Sequence, residues 1–274
     1  MSIKVEHLNH TYDKGLPTEE IALHDVCFSV EDNTLLGIIG HTGSGKSTLL
    51  EHLNGLLKAD SGYIYIDDID ITKEGVSMVD IRKRVGLCFQ YPEYQLFEET
   101  VSKDVAFGPK NLGLSDEEIT SRVKEALELV NIDYETFKDR SPFELSGGQK
   151  RRVAIAGILA LKPEVLILDE PQAGLDPKSH KDINELIKEV HRRTGNITII
   201  VSHNMQDVAS LCDKVLVMDS GRVVDFGTPK EIFSDEDKLK EIGLDLPEVT
   251  KFAKDIGIKE TILNMDELVN IIND

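Results

Sequence analysis

The sequence predicts an α/β protein in which a largely parallel sheet carries a phosphate-binding loop, with an antiparallel β-subdomain, an inserted α-helical subdomain and a small carboxy-terminal extension. Three observations predict it. Gly40-His41-Thr42-Gly43-Ser44-Gly45-Lys46-Ser47 fits the P-loop pattern G-x-x-x-x-G-K-[ST] without a gap, and it follows the apolar run from Leu35 to Ile39. Short apolar runs at 85–89, 165–168, 197–201 and 214–218, several without a polar residue, suit strands buried on both faces. Between Gln90 and Pro163 the period becomes mainly helical.

Each element follows from local pattern. From Ile3 to Val30, and again over Tyr63 to Ile66, apolar and polar residues alternate, which predicts an antiparallel outer sheet. After the phosphate loop, Leu49, Leu50, Leu53, Leu56 and Leu57 predict a helix from Ser47 to Leu57. Ser115 and Glu118 form a capping box for a helix whose Ile119, Val123, Ala126, Leu127 and Val130 make one apolar stripe. Thr228 and Glu231 start another helix by the same rule, and Leu246-Pro247 and Asn264 to Glu267 punctuate an acidic tail. The predicted organisation is a nucleotide-binding core over 1–226, with its helical block at about 92–162, and an extension over 227–274 that stabilises a dimer.

Composition narrows the partners. A chain of 274 residues exceeds one small core and suits a large domain plus an appendage. Its 31 basic and 50 acidic side chains give a net charge of -19, which disfavours nucleic acid and a direct lipid anchor. No stretch approaches a membrane span and the start lacks an apolar signal core, so a cytoplasmic location is expected, with any membrane role exerted through protein partners. Cys27, Cys88 and Cys212 stand in no metal-ligand spacing and are expected as small buried apolar residues in a reducing compartment.

The motifs point to ATP with Mg²⁺. In the stretch from Gly40 to Thr48, backbone N–H groups cradle phosphates, Lys46 reaches the β and γ phosphates and Ser47 offers a hydroxyl to Mg²⁺. Asp169 ends an apolar strand and suits the Mg²⁺ shell, while Glu170, pointing elsewhere by strand alternation, suits polarisation of an attacking water. Gln90 either completes the metal and water arrangement or merely ends its strand, and His203 either meets the γ-phosphate or is a solvated histidine. Leu145-Ser146-Gly147-Gly148-Gln149 adds a second phosphate-reading surface that cannot reach the nucleotide of its own chain, so the working unit is a pair.

These motifs, with Gly174-Leu175-Asp176, occur in the order and spacing of an ATP-binding cassette (ABC) ATPase, which the chain resembles over about residues 1–226. The resemblance implies that Tyr12 stacks on adenine, that Gln90 and His203 belong to the catalytic set, and that Ser146, Gly148 and Gln149 hold the γ-phosphate of a partner's ATP, with Asp176 at the same interface. A narrower resemblance rests on His41-Thr42, on the segment from Phe89 to Thr100, on Phe107-Gly108-Pro109-Lys110-Asn111 and on Phe143-Glu144 before the Ser-Gly-Gly-Gln run. It is to ATPase subunits of energy-coupling factor (ECF) transporters, importers of vitamins and metal ions, and within them to the second of two related subunits. That implies a heterodimer with a second ABC ATPase, an integral membrane scaffold and a substrate-capturing membrane subunit. Gln172 departs from the commoner small residue. Glu93, Glu98 and Glu99 either form a solvated loop or line a groove for a basic coupling helix of the scaffold, the sharper expectation. The rival readings are a soluble, non-transport cassette ATPase of DNA repair or translation and an ATP-binding regulatory module.

Overall fold

The computed structural model describes residues 1–273, and contacts group the chain into two compact units: residues 1–78 with the chain from Ile197 onward, and Val79–Asn196. The first unit begins with β1 (Ser2–Tyr12), β2 (Glu20–Glu31), β3 (Leu35–Ile39), α1 (Lys46–Leu53), β4 (Ser61–Ile66) and β5 (Ile69–Asp70). The second holds α2 (Met78–Arg84), β6 (Val85–Cys88), α3 (Val101–Asn111), α4 (Asp116–Leu129), α5 (Tyr134–Phe137), α6 (Gly147–Leu159), β7 (Val165–Asp169) and α7 (Pro177–Thr194). The chain returns to the first unit through β8 (Ile197–Val201), α8 (Met205–Leu211), β9 (Lys214–Asp219), β10 (Arg222–Gly227), α9 (Pro229–Ile232), α10 (Glu236–Glu241), α11 (Glu248–Asp255) and α12 (Met265–Asn273).

The predicted class holds, with parallel strands, an antiparallel outer sheet, a helical block and carboxy-terminal helices. The uninterrupted apolar run of β3 is buried at all five positions and pairs in parallel with β8 and β9. In the second unit β6 and β7 pair in parallel. Both capping boxes form as expected, Ser115 with Glu118 and Thr228 with Glu231, and the stripe from Ile119 to Val130 is buried.

The outer sheet, in order β2-β1-β4-β5, carries two irregularities that its burial pattern records. Along β1 the inward residues change from Ile3 and Val5 to Leu8 and His10, and along β2 from Leu23 to Val26, Phe28 and Val30. Each change of parity marks a bulge. Glu6 and His7 together oppose Cys27, between the pairs Val5–Phe28 and Leu8–Val26, and Asp25 lies in the next irregularity, before His10–Leu23. Both His7 and Asp25 take left-handed backbone, with φ of 51° and 54°.

Two expectations are corrected. Helical spacing through Leu57 overran the helix, because α1 is capped at Asn54, Gly55 turns left-handed at φ 68°, and Leu56 is left 43% exposed. Leucine spacing alone does not register a chain-reversing Asn-Gly pair. Of the three cysteines Cys88 and Cys212 are buried, but Cys27 is exposed, because it alternates with inward Val26 and Phe28 and so falls on the outer face of β2.

The tail builds a small core of its own from Ala253, Ile262 and Leu268, with Val249 and Ile258 packed against it. Gln206 on α8 ties it down, donating to Leu263 O at 2.7 Å and accepting from Val249 N at 3.2 Å. Phe252, Ile256, Met265, Val269 and Ile272 remain exposed on α11, on α12 and at the end of the first. Among the described residues no helix is long and apolar enough to cross a membrane.

Candidate functional site

In the first unit the phosphate loop is shaped by close backbone approach. A Cβ at Gly40 would lie 2.3 Å from Met218 O, and one at Gly45, where φ is +96°, would lie 2.6 Å from Ala22 O. Lys46, only 6% exposed, is held at the loop by donation to Gly40 O at 2.8 Å and His41 O at 2.9 Å. Ser44 Oγ is buried without a hydrogen-bond partner beside Gly40, an orphaned polar atom in the loop that an anion's oxygen would satisfy. Thr42, Gly43 and Ser47 are exposed, while Thr48 is half-buried and pairs through its hydroxyl with Tyr12 Oη at 3.2 Å. His41 fixes the loop's flank, with Nε2 2.8 Å from Asp219 Oδ1 and Nδ1 2.7 Å from Thr42 O.

Tyr12 ends β1 with 37% of its surface exposed, and His10 meets its ring edge-on at a centroid distance of 4.6 Å. The remaining tyrosine face is suited to stacking. His203 sits exposed in the turn between β8 and α8, one residue before Asn204, which caps α8.

In the second unit the polar residues form a side-chain cluster. Gln90, two residues beyond β6, donates from Nε2 to Glu170 Oε2 at 3.0 Å. The strand β7 stops at Asp169, and Glu170 takes left-handed backbone with φ 48°. Its direction therefore comes from a local reversal rather than from the continued strand alternation that the sequence suggested. Such strain in a non-glycine residue persists only where surrounding contacts enforce it.

Those contacts centre on Arg151, which sequence reasoning missed. This guanidinium, 1% exposed, holds Glu93 through both carboxylate oxygens at 3.0 and 2.7 Å, and donates to Pro171 O and Ala173 O at 2.8 Å each. One side chain thus binds the segment after Gln90, the turn after Glu170 and α6. Gln172 makes a further tie, donating to Asn184 Oδ1 on α7 at 2.6 Å. The only local signal for Arg151 was a basic run after Gln149, which reads equally well as a solvated helix face. Burial pushes the Cys88 thiol up to about 12, with Arg151 opposing that shift and Glu93 and Asp169 adding to it.

The segment Ser146-Gly147-Gly148-Gln149 opens α6. Ser146 Oγ accepts from Gln149 N and Gln149 Oε1 accepts from Ser146 N at 3.0 Å, which leaves the amides of Gly147 and Gly148 at an exposed helix start. Asp176 caps α7 and accepts from Ser179 Oγ at 2.6 Å, which holds its carboxyl below the ordinary value. Ser179 is also the nearest side chain to Gly148, so the starts of α6 and α7 adjoin.

The expected acidic groove is not formed by Glu93, Glu98 and Glu99. Glu93 is taken by Arg151 and Glu99 pairs with Lys103 at 2.7 Å. Instead the second unit carries a groove of about 490 Å³ that is mainly apolar, lined by Val79, Leu96, Phe97, Phe107 and Leu161, with Asp104, Arg82 and Lys83 as its charged residues. Phe97 and Phe107 meet edge-on at 4.9 Å, and each is about half exposed.

A family model described as ABC transporter matches residues 23–173. The chain is 59% identical over 256 residues, 93% of its own length and 89% of the relative's, to the energy-coupling factor transporter ATP-binding protein EcfA2 of Caldanaerobacter subterraneus subsp. tengcongensis. Among solved structures it is similar to cbiO1 of Clostridium perfringens, part of the ABC transporter complex cbiONQ, with a TM-score of 0.78, 40% identity, and coverage of 92% of this chain and 98% of that one. It is also similar to a dimeric ATP-binding cassette in a post-hydrolysis state bound to ADP and Pi, with a TM-score of 0.71, 28% identity, and coverage of 83% and 98%.

Proposed function

We propose, from the premise that this chain belongs to the ABC transporter family and is an ABC ATPase closely related to EcfA2 subunits, that it is the motor subunit of an ECF-type importer. It would drive uptake of a vitamin or metal ion through membrane partners, at the cytoplasmic face of the membrane. The observation that carries this reading is the 93% reach of the relationship, which continues past the family model into the tail.

In this reading Tyr12 stacks on the adenine and the loop from Gly40 to Thr48 cradles the phosphates, with Lys46 exchanging loop carbonyls for phosphate oxygens. Ser47, Asp169 and Gln90 offer only oxygen ligands, a set that fits Mg²⁺. When bound, that ion supplies positive charge against the phosphates. Gln90 uses its amide nitrogen on Glu170, so its oxygen would be the atom left to hold the ion. Glu170, steered by Gln90 and by the turn that Arg151 holds, takes the proton of the attacking water, and His203 contacts the γ-phosphate. Ser146, Gly147, Gly148 and Gln149 close over the ATP of a second ABC ATPase, and Asp176 lies at that interface. The core over 1–226 does this chemistry, with its helical block at about 92–162, while the extension over 227–274 pairs its exposed apolar residues with the tail of the partner cassette. The groove beside Phe97 and Phe107 takes a coupling segment of the membrane scaffold mainly by apolar burial, with Arg82, Lys83 and Asp104 at its lining.

Purification of the tagged chain from native membranes in mild detergent, with partners identified by mass spectrometry, tests the assignment. A second cassette ATPase and apolar membrane subunits are expected. Recovery of a soluble homodimer, or of ribosomal or DNA-repair proteins, overturns the transport reading and leaves the ATPase. In the same preparation Phe107→Asp should release the membrane subunits and retain the second cassette.

A further inference from the structure

We propose that His7, Asp25 and Cys27 form a three-ligand site for a transition-metal ion of the zinc or cobalt class, on the outer face of the antiparallel sheet. The imidazole, carboxylate and thiol each place a ligand atom within 4.8 Å of the other two. His7 Nδ1 and Cys27 Sγ are 3.7 Å apart. Zinc bonded to nitrogen at about 2.05 Å and to sulfur at about 2.3 Å in a tetrahedron would separate those atoms by about 3.6 Å. His7 Nδ1 and Asp25 Oδ1 stand at 2.7 Å, a hydrogen-bond distance, so a small outward rotation of the carboxylate admits the ion in place of the shared proton.

Sequence spacing does not reveal this group, because consecutive bulges create it. The first sets His7 against Cys27 and the second brings Asp25 to the same face, with both His7 and Asp25 in left-handed backbone. Asn9 braces the pair from behind, donating to His7 O at 2.7 Å and accepting from Asp25 N at 2.9 Å. The His7 amide donates to Cys27 Sγ at 3.1 Å, which fixes the sulfur beside the imidazole. Asp25 is held below the ordinary carboxylate value, first by its bond to His7, while His24 and Arg222 add positive charge nearby that an incoming cation must overcome. Mixed sulfur, nitrogen and oxygen donors select borderline transition ions over Mg²⁺, and the exposed setting leaves remaining positions to water. Binding releases the thiol proton to solvent, and the neutral imidazole carries its proton on Nε2 so that Nδ1 is open to the ion.

Titration of the full-length chain with Co²⁺, without nucleotide or Mg²⁺, tests the site. A thiolate-to-cobalt charge-transfer band should saturate at one ion per chain and be bleached by Zn²⁺. Cys27→Ser should abolish the band, whereas Cys88→Ser and Cys212→Ser, at buried thiols, should keep it. His7→Gly removes a ligand yet suits the left-handed backbone, so the sheet is retained and affinity should fall at least ~10-fold. Asn9→Ala should weaken binding by about 10-fold without removing a ligand atom. Absence of the band in the native chain, its survival in Cys27→Ser, or unchanged affinity in His7→Gly overturns the proposal.

Discussion

The phosphate loop and the cluster around Arg151 position polar groups by opposite means. In the loop, contiguous residues fold so that backbone approaches of under 3 Å from a would-be Cβ at Gly40 and Gly45 dictate the shape. Around Arg151, side chains 58 and 80 positions apart make the Glu93 pair and the Gln90–Glu170 bond. A backbone-built site is written in a short motif and admits few residue types. A side-chain-built site is invisible until the strands have paired, and its parts can be exchanged as pairs.

The contrast is sharpest at Glu170, where binding and turnover should separate. Glu170→Gln should keep ATP binding and lower phosphate release from the assembled complex by about 10² to 10⁴-fold. Equal loss of nucleotide binding would show that the cluster is part of the cradle. Next in size is Arg151→Met, which strands the Glu93 carboxylate and should cost about 3–5 kcal/mol in a urea-unfolding experiment. Adding Glu93→Leu should return part of that loss, the exchange in pairs that the loop does not allow. Gly40→Ala tests the loop itself. Its new methyl meets Met218 O, so about 1–3 kcal/mol of stability should be lost together with nucleotide affinity.

The smallest effect concerns the helix starts. Glu118 and Glu231 are held below their ordinary value of 4.5, first by the backbone amides of Ser115 and Thr228. A depressed carboxylate stabilises the fold above its ordinary value, and that contribution is lost as pH falls from 4.5 toward the lowered folded value. Amide exchange at the first turns of α4 and α9 should rise in that window, while Glu118→Gln should remove the pH dependence at α4 alone.

Much of the architecture could be read directly. Nearly continuous apolar runs announced β3 and β8, and both capping boxes formed as their spacing required. The phosphate loop was equally plain. What escaped shares one cause, that pairing across the chain is not local. Glu93 looked like a surface acid and Arg151 like a solvated cation until β6, α6 and β7 brought them together. Bulges likewise set His7 against Cys27 and brought Asp25 to the same face. Glu170 was placed by a left-handed residue that no side-chain pattern encodes.

The clamp made by Gln206 bears on how the protein can be trimmed or labelled. Its amide is satisfied on one side by Leu263 O and on the other by Val249 N, and it lies three residues from His203. A chain cut after Gly227 would strip both partners from that amide, and the disturbance would reach the histidine turn. Shortened versions prepared for crystallisation or kinetics would therefore differ from the full protein in the turn around His203 as well as in length. A label is better carried on an exposed turn such as Asp13 to Thr18 than gained by exchanging the tail for it.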